Sequence, residues 1–180
     1  KSIRRQRQMG RRDRPGTRTG IVIAKPEIIK AVSSMTSIMG LANTNTGQAI
    51  AQPLIESGEI LRLSNELVQP FYRRKSEQAQ AWVKQYFDPK LNYHIHRSEG
   101  ALFLWAWFEG LPITSRELYE RLKARGVLVV PGSYFFFGQD DSDWKPRDEC
   151  IRINFTMPEE DVEAGIRIIG EEVSKAYSER

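Results

Sequence analysis

Beyond Asp88–Pro89 the apolar residues change period repeatedly, in the order strand, strand, helix, strand, strand, helix, and few folds accept that order. Tyr93–His96 and Ala101–Trp107 read as strands joined through Arg97–Gly100, and Leu111–Pro112 turns the chain. Thr114 and Glu117 form a T-x-x-E capping box, in which the hydroxyl accepts from a backbone N–H and the carboxylate reaches back to another. The helix it starts runs to about Arg125, where Gly126 suits the left-handed position that closes a helix. Val127–Val130 is a short buried strand stopped by Pro131–Gly132, Ser133–Arg147 is a loop rich in Asp and aromatics, and Cys150–Phe155 is a further strand. Thr156 and Glu159 make a second capping box, and Val162, Ile166, Ile169 and Val173 stripe a last helix to about Ser178. The expected unit is α+β, with helices on one face of a mainly antiparallel sheet.

Upstream the signals are helical. Ile21–Ala24 reads as a buried strand ended by Lys25–Pro26, and Glu27–Met39 as a helix with Ile28, Ile29, Val32 and Met35 on one face. Gly40–Gly47 is a polar loop, and Gln48–Ser57 a second helix interrupted by Pro53. Glu59–Phe87 reads as one long helix, because Leu63, Leu67 and Phe71 recur every fourth residue and Trp82 and Tyr86 resume the stripe. Pro70 predicts a kink within it. A helix of that length can bridge two domains. No internal repeat is visible.

Composition narrows the function classes. With 180 residues, 40% hydrophobic and 28% charged, the chain has globular composition. Its longest apolar run, Ala101–Phe108, falls far short of the roughly 20 residues that span a bilayer, which excludes a membrane-spanning protein. Cys150 is the single cysteine, so no internal disulfide forms, and no Cys/His cluster suggests structural zinc. The net charge of +4 comes from the start of the chain, where Lys1, Arg4, Arg5, Arg7, Arg11, Arg12 and Arg14 face only Asp13. The remainder is slightly acidic. That tail lacks the apolar core of a signal peptide. It opens a reading as a binding module that grips nucleic acid or an acidic partner. The absence of interleaved aromatics and the acidic body argue against nucleic acid.

Two arginines stand out. Arg18, in Pro15-Gly16-Thr17-Arg18-Thr19-Gly20, is either a solvated arginine or a bidentate phosphate ligand placed just before a strand. Arg152 lies between Ile151 and Ile153, so alternation turns it to the opposite face of its strand. There it is either an ion-paired surface residue or a semi-buried guanidinium open to a carboxylate. His94 and His96 share one strand face, but no third ligand accompanies them and no metal is expected. Trp105, Trp107 and Phe108 read as core, and Tyr134–Phe137 as core or pocket wall. Asp140, Asp141 and Asp143 lack EF-hand spacing and read as a solvated loop.

Taken together the motifs carry a resemblance. P-G-T-R-T-G-I-V-I-A at 15–24, S-E-G-A-L-F-L-W-A-W-F at 98–108, L-Y-E-R-L-K-A-R-G-V-L-V-V-P-G at 118–132 and C-I-R-I-N-F at 150–155 follow the order of class I/II, fold type I aminotransferases. L-R-L-S with P-F-Y over 61–72 and E-A-G-I-R-I at 163–168 resemble the valine–pyruvate subgroup in particular. The resemblance covers about residues 15–180 and implies an α/β enzyme of which this chain is the C-terminal part. Residues 15–60 would end the large cofactor-binding domain, 61–87 would be a long kinked bridging helix and 88–180 an α+β small domain, after an unmatched basic tail at 1–14. It implies pyridoxal 5′-phosphate held as a Schiff base on a lysine. It also implies transfer of the amino group of L-valine to pyruvate, giving 3-methyl-2-oxobutanoate and L-alanine. By position Arg18 resembles the phosphate-binding arginine and Arg152 the arginine that grips the substrate carboxylate. The family's S-x-S-K pattern ends seven residues before that phosphate arginine, where this chain has Gln8-Met9-Gly10-Arg11. No lysine lies between Lys1 and Lys25, so the lone chain is expected to be inactive, without a catalytic residue of its own. A cytoplasmic homodimer acting on amino acids and 2-oxo acids is what the family further implies. A pseudoenzyme that keeps only the carboxylate grip is the remaining alternative.

Overall fold

The structure, a computed structural model, describes residues 22–39, 46–100, 102–138 and 144–179, without the side chains of 36–39. These fall into two compact units, one up to Glu66 and one from Leu67 onward.

The first unit is helical. Helix α1 spans Pro26–Met39, with the proline at its first position, where a missing N–H leaves nothing unsatisfied. Helix α2, Thr46–Glu56, carries Pro53 inside it, and α3 is Glu59–Leu63. The expected strand at Ile21–Ala24 is not found in its described part. Val22–Lys25 has no regular structure, and Val22 and Ile23 are exposed. A β-branched run becomes a strand only by pairing, and no described residue pairs with it. Ile28, Val32 and Met35 of the α1 stripe are likewise exposed.

The long helix expected over Glu59–Phe87 is helical from Glu59 to Tyr86, but its irregularity precedes Pro70. A π-helical turn, Ser64–Val68, separates α3 from α4, Gln69–Tyr86. Pro70 has no N–H to give, and its ring would press on the carbonyl four residues back, that of Glu66. Widening the turn that contains Glu66 relieves both problems, and Pro70 becomes a residue of the first turn of α4, where it is tolerated.

In the second unit, β1 (Tyr93–Ile95), β2 (Phe103–Phe108), β3 (Val130–Pro131) and β4 (Cys150–Asn154) form one sheet in the order β1-β2-β4-β3. Every pairing is antiparallel, with Leu104 opposite Ile153, Trp105 opposite Arg152, and Val130 opposite Arg152 on the other side. Pro131 belongs to β3 instead of stopping it. An edge strand accommodates a proline because one side needs no N–H.

Three helices cover one sheet face: α4, α5 (Ser115–Ala124) and α7 (Glu159–Ser178). Leu104, Ala106, Phe108, Ile151 and Ile153 meet Ala79 and Val83 of α4, Leu118 and Leu122 of α5, and the Val162, Ile166, Ile169, Val173 stripe of α7 in one buried core. Where α4 ends against α7, Gly170 allows the contact. A Cβ there would stand 2.6 Å from the Tyr86 carbonyl oxygen.

The caps divide. Thr114 accepts from the Glu117 N–H at 3.2 Å, as a capping box requires, but the Glu117 carboxylate pairs with Arg121 instead of reaching back. Gly126, at φ +81°, closes α5, with its N–H on Lys123 O and that of Val127 on Leu122 O. The second box is absent. Thr156 gives both its N–H and its hydroxyl to the Asn154 side chain at 2.8 Å, and α7 begins after Pro158 without a side-chain cap.

The expected loop Ser133–Arg147 also has structure. A 3₁₀ turn, Gly132–Phe135, follows β3, and a short helix α6, Pro146–Glu149, leads into β4. Among the described residues no helix is long and apolar enough to cross a membrane.

Candidate functional site

The strand alternation that buries Ile151 and Ile153 turns Cys150, Arg152 and Asn154 to the face opposite α4, α5 and α7, beside Phe103, Trp105 and Trp107 of β2. Phe108 is core as expected, but Trp105 and Trp107 are not. They are half-buried, because odd positions of β2 lie on this second face.

Arg152 is at its centre, half-buried on an inner strand. Its guanidinium carbon lies 4.1 Å from the ring centre of Phe103 and 5.0 Å from that of Phe135. Among the described residues none accepts a hydrogen bond from it or forms an ion pair with it. The other half-buried arginines are paired, Arg121 with Glu117 and Glu179, and Arg147 with Asp148. A partly desolvated cation attracted to aromatic faces keeps its N–H fork available to an anion.

The neighbours are aromatic and ordered by edge contacts. Trp105 meets Phe135 at 5.2 Å and Phe136 at 6.0 Å, and Phe136 meets Trp144 at 4.8 Å. Of the Tyr134–Phe137 run, Phe135 and Phe136 line the site, whereas Tyr134 and Phe137 are more exposed than either. Gly132 makes that placement possible. A Cβ on it would come within 2.7 Å of Cys150 Cβ and 2.8 Å of its carbonyl oxygen, so only a bare backbone lets the turn lie on the start of β4.

Glu149 anchors the lower edge. Its side-chain oxygens accept from Trp107 Nε1 at 2.8 Å and from the Gly110 N–H at 3.1 Å, which satisfies a buried polar group. Burial pushes the Cys150 thiol up to about 11, so it stays protonated at neutral pH and is no nucleophile. His94 rests on Trp107 with ring centres 5.0 Å apart, its Nε2 3.4 Å from Glu109, while His96 Nδ1 is 3.1 Å from the Arg97 carbonyl. Among the described residues no three metal-ligating side chains gather. Arg11, Arg18 and the Asp140, Asp141, Asp143 cluster lie outside the described residues.

The pattern of the family "Aminotransferase class I and II" matches residues 14–169. The chain belongs to the class I and II aminotransferases. It is 43% identical over 165 residues to the valine–pyruvate aminotransferase of Escherichia coli K12, covering 92% of this chain and 39% of that protein. Among solved aminotransferase structures, the valine–pyruvate aminotransferase of Salmonella typhimurium LT2 superimposes with a TM-score of 0.84 at 42% identity, over 92% of this chain and 42% of that one. An amino-acid aminotransferase of Psychrobacter arcticum 273-4 does so with 0.86 at 44% identity, over 92% and 38%. The chain thus spans about two-fifths of the length of these aminotransferases.

Two residues of the site were not legible as such. Phe103 sits inside an apolar strand run, and Phe135 inside a string of aromatics. The available signal was register. Phe103 is two residues from Trp105 on one strand face, which makes it the diagonal neighbour of Arg152.

Proposed function

We propose that residues 88–180 are the small domain of an aminotransferase, joined by the 61–87 helix to the end of a large cofactor-binding domain at 15–60, and that Arg152 anchors the substrate carboxylate. The observation that carries this is the half-buried guanidinium of Arg152 on an inner strand, facing away from α4, α5 and α7 and without a polar partner among the described residues. A planar fork binds a carboxylate through two parallel hydrogen bonds and so fixes the amino acid in two directions at once. Similarity to the valine–pyruvate enzymes supports L-valine and pyruvate as the pair, with 3-methyl-2-oxobutanoate and L-alanine as products. A cytoplasmic homodimer is part of the same proposal.

Pyridoxal 5′-phosphate, when bound, supplies the electron sink for amino transfer. The donor set of this chain does not fit that cofactor by itself. Arg18 suits its phosphate, but the position seven residues earlier is Arg11, whose guanidinium stays protonated and cannot act as an amine nucleophile. The 180-residue chain alone is therefore expected to show no valine-dependent alanine formation.

The test grafts residues 15–180 onto a complete cofactor domain that carries the anchoring lysine. Arg152→Lys in that chimera should lose at least roughly tenfold in kcat/KM, about 1.4 kcal/mol of transition-state stabilisation, while keeping its bound cofactor. Lysine offers a point charge in place of a fork. Unchanged turnover, or release of the cofactor, would overturn the division of roles between Arg152 and Arg18.

A further inference from the structure

We infer that Phe103 and Phe135 are positioning residues for Arg152: their rings hold the guanidinium by cation–π attraction and leave its N–H donors free for a carboxylate. The inference rests on the carboxylate-anchoring reading of Arg152.

An arginine side chain must be ordered before it can present a fork, and ordering a rotamer-rich chain at the moment of binding weakens that binding. The common way to order it in advance is a carboxylate partner, as Arg121 and Arg125 have here. Such a partner occupies the same N–H groups that a substrate carboxylate needs. An aromatic ring attracts the cation through its face and has no lone pair with which to fill the fork. At 4.1 Å from Phe103 and 5.0 Å from Phe135, with no polar partner described, Arg152 is held in this second way.

The rings are themselves fixed. Phe103 is on the central strand pair, two residues from the Trp105 that faces Arg152. Phe135 arrives on the 3₁₀ turn that Gly132 lets settle on β4, and Trp105 meets it edge-on at 86°. Core packing does not account for either ring, since Phe103 is 36% and Phe135 38% exposed. Two partly exposed phenylalanines converging on one guanidinium that has no polar partner among the described residues have a common explanation in that guanidinium.

The test uses the full 180-residue chain labelled with ¹⁵N-arginine, the Arg152 Nε–H signal being identified by its loss in Arg152→Lys. In the wild type that signal should be ring-shifted and its bond vector restricted. Phe103→Leu and Phe135→Leu should each release it towards the position and mobility of an exposed arginine, while Phe103→Tyr restores both. Titration with 3-methyl-2-oxobutanoate should shift the same signal, and each leucine variant should weaken that binding about two- to fivefold. Far-UV circular dichroism checks that the variants remain folded. If both leucine variants are folded and leave the signal, its mobility and the binding unchanged, the positioning role is wrong. If the leucine variants mobilise Arg152 but the oxo acid never shifts it, the rings do hold the guanidinium and the carboxylate-anchoring reading fails instead.

Discussion

Gly165 and Gly170 both lie inside α7, one turn and a residue apart, yet alanine should act on them with opposite sign. In a helix interior glycine costs about 0.5–1 kcal/mol relative to alanine, because the freer unfolded backbone loses more on folding. At Gly165 that gain is unopposed, since an added Cβ meets only Val127 Cγ1 at 3.9 Å, ordinary contact. Gly165→Ala should therefore stabilise by roughly 0.5–1 kcal/mol. At Gly170 the Cβ would stand 2.6 Å from the Tyr86 carbonyl oxygen and 3.2 Å from its carbon, with Phe87 Cδ1 at 3.0 Å. The first two are backbone atoms at the end of α4 and cannot rotate away. Forcing α4 and α7 apart opens a core in which Phe87 and Val173 are almost wholly buried, an overpacking cost of about 1–3 kcal/mol. After the propensity gain, Gly170→Ala should destabilise by roughly 1–2 kcal/mol. Urea unfolding of the full chain, followed by tryptophan fluorescence and far-UV circular dichroism, reads both variants on one scale. A Gly170→Ala protein as stable as wild type would refute the claimed backbone approach of α4 and α7. A Gly165→Ala protein destabilised as much as Gly170→Ala would refute the assignment of the effect to Tyr86.

Ile166→Ala should cost roughly 2–5 kcal/mol by the same assay, because Ile166 is 1% exposed in the middle of the core. Thr114→Ala should cost about 1 kcal/mol by removing the one observed side-chain cap of α5, measured as a fall in urea midpoint. The Glu171 and Glu179 carboxyls are held below the ordinary 4.5 by hydrogen bonds from Arg125 and Arg121. A lowered folded pKa means that their contribution is complete above the unfolded value and is lost as pH falls below about 4.5 through the folded one. Both are exposed, so the effect should be small, visible as a lower urea midpoint at pH 3 than at pH 5, and shallower in Arg125→Gln.

What could be read from sequence was whatever local chemistry decides. The Thr114 cap, the Gly126 closure and the α7 stripe depend on spacing within one or two turns, and all three stand in the structure. The Thr156–Glu159 box has the same spacing but loses to a competitor two residues upstream, the Asn154 side chain, which no helix-start pattern includes. Pro70 predicts a kink at its own position, whereas the irregularity in the structure is a π-helical turn before it, at Ser64–Val68, which contains Glu66. Val22 and Ile23 have strand composition without a strand, because pairing is not a property of the run itself. At the site, alternation alone put Arg152 opposite Ile151 and Ile153. It could not show that the neighbouring faces are rings, since Phe135 reaches Arg152 through a turn whose course depends on Gly132.

A double cycle on the grafted chimera isolates the pairing of the Arg152 fork with the substrate carboxylate. Wild type and Arg152→Lys are compared on L-valine and on isobutylamine, which is valine without its carboxylate. If the two groups meet, Arg152→Lys loses roughly tenfold or more in kcat/KM on valine and little or nothing on isobutylamine, a coupling of about 1.4 kcal/mol or more. An equal loss on both amines would contradict it, placing the effect of Arg152 on the fold or the cofactor instead of on the carboxylate.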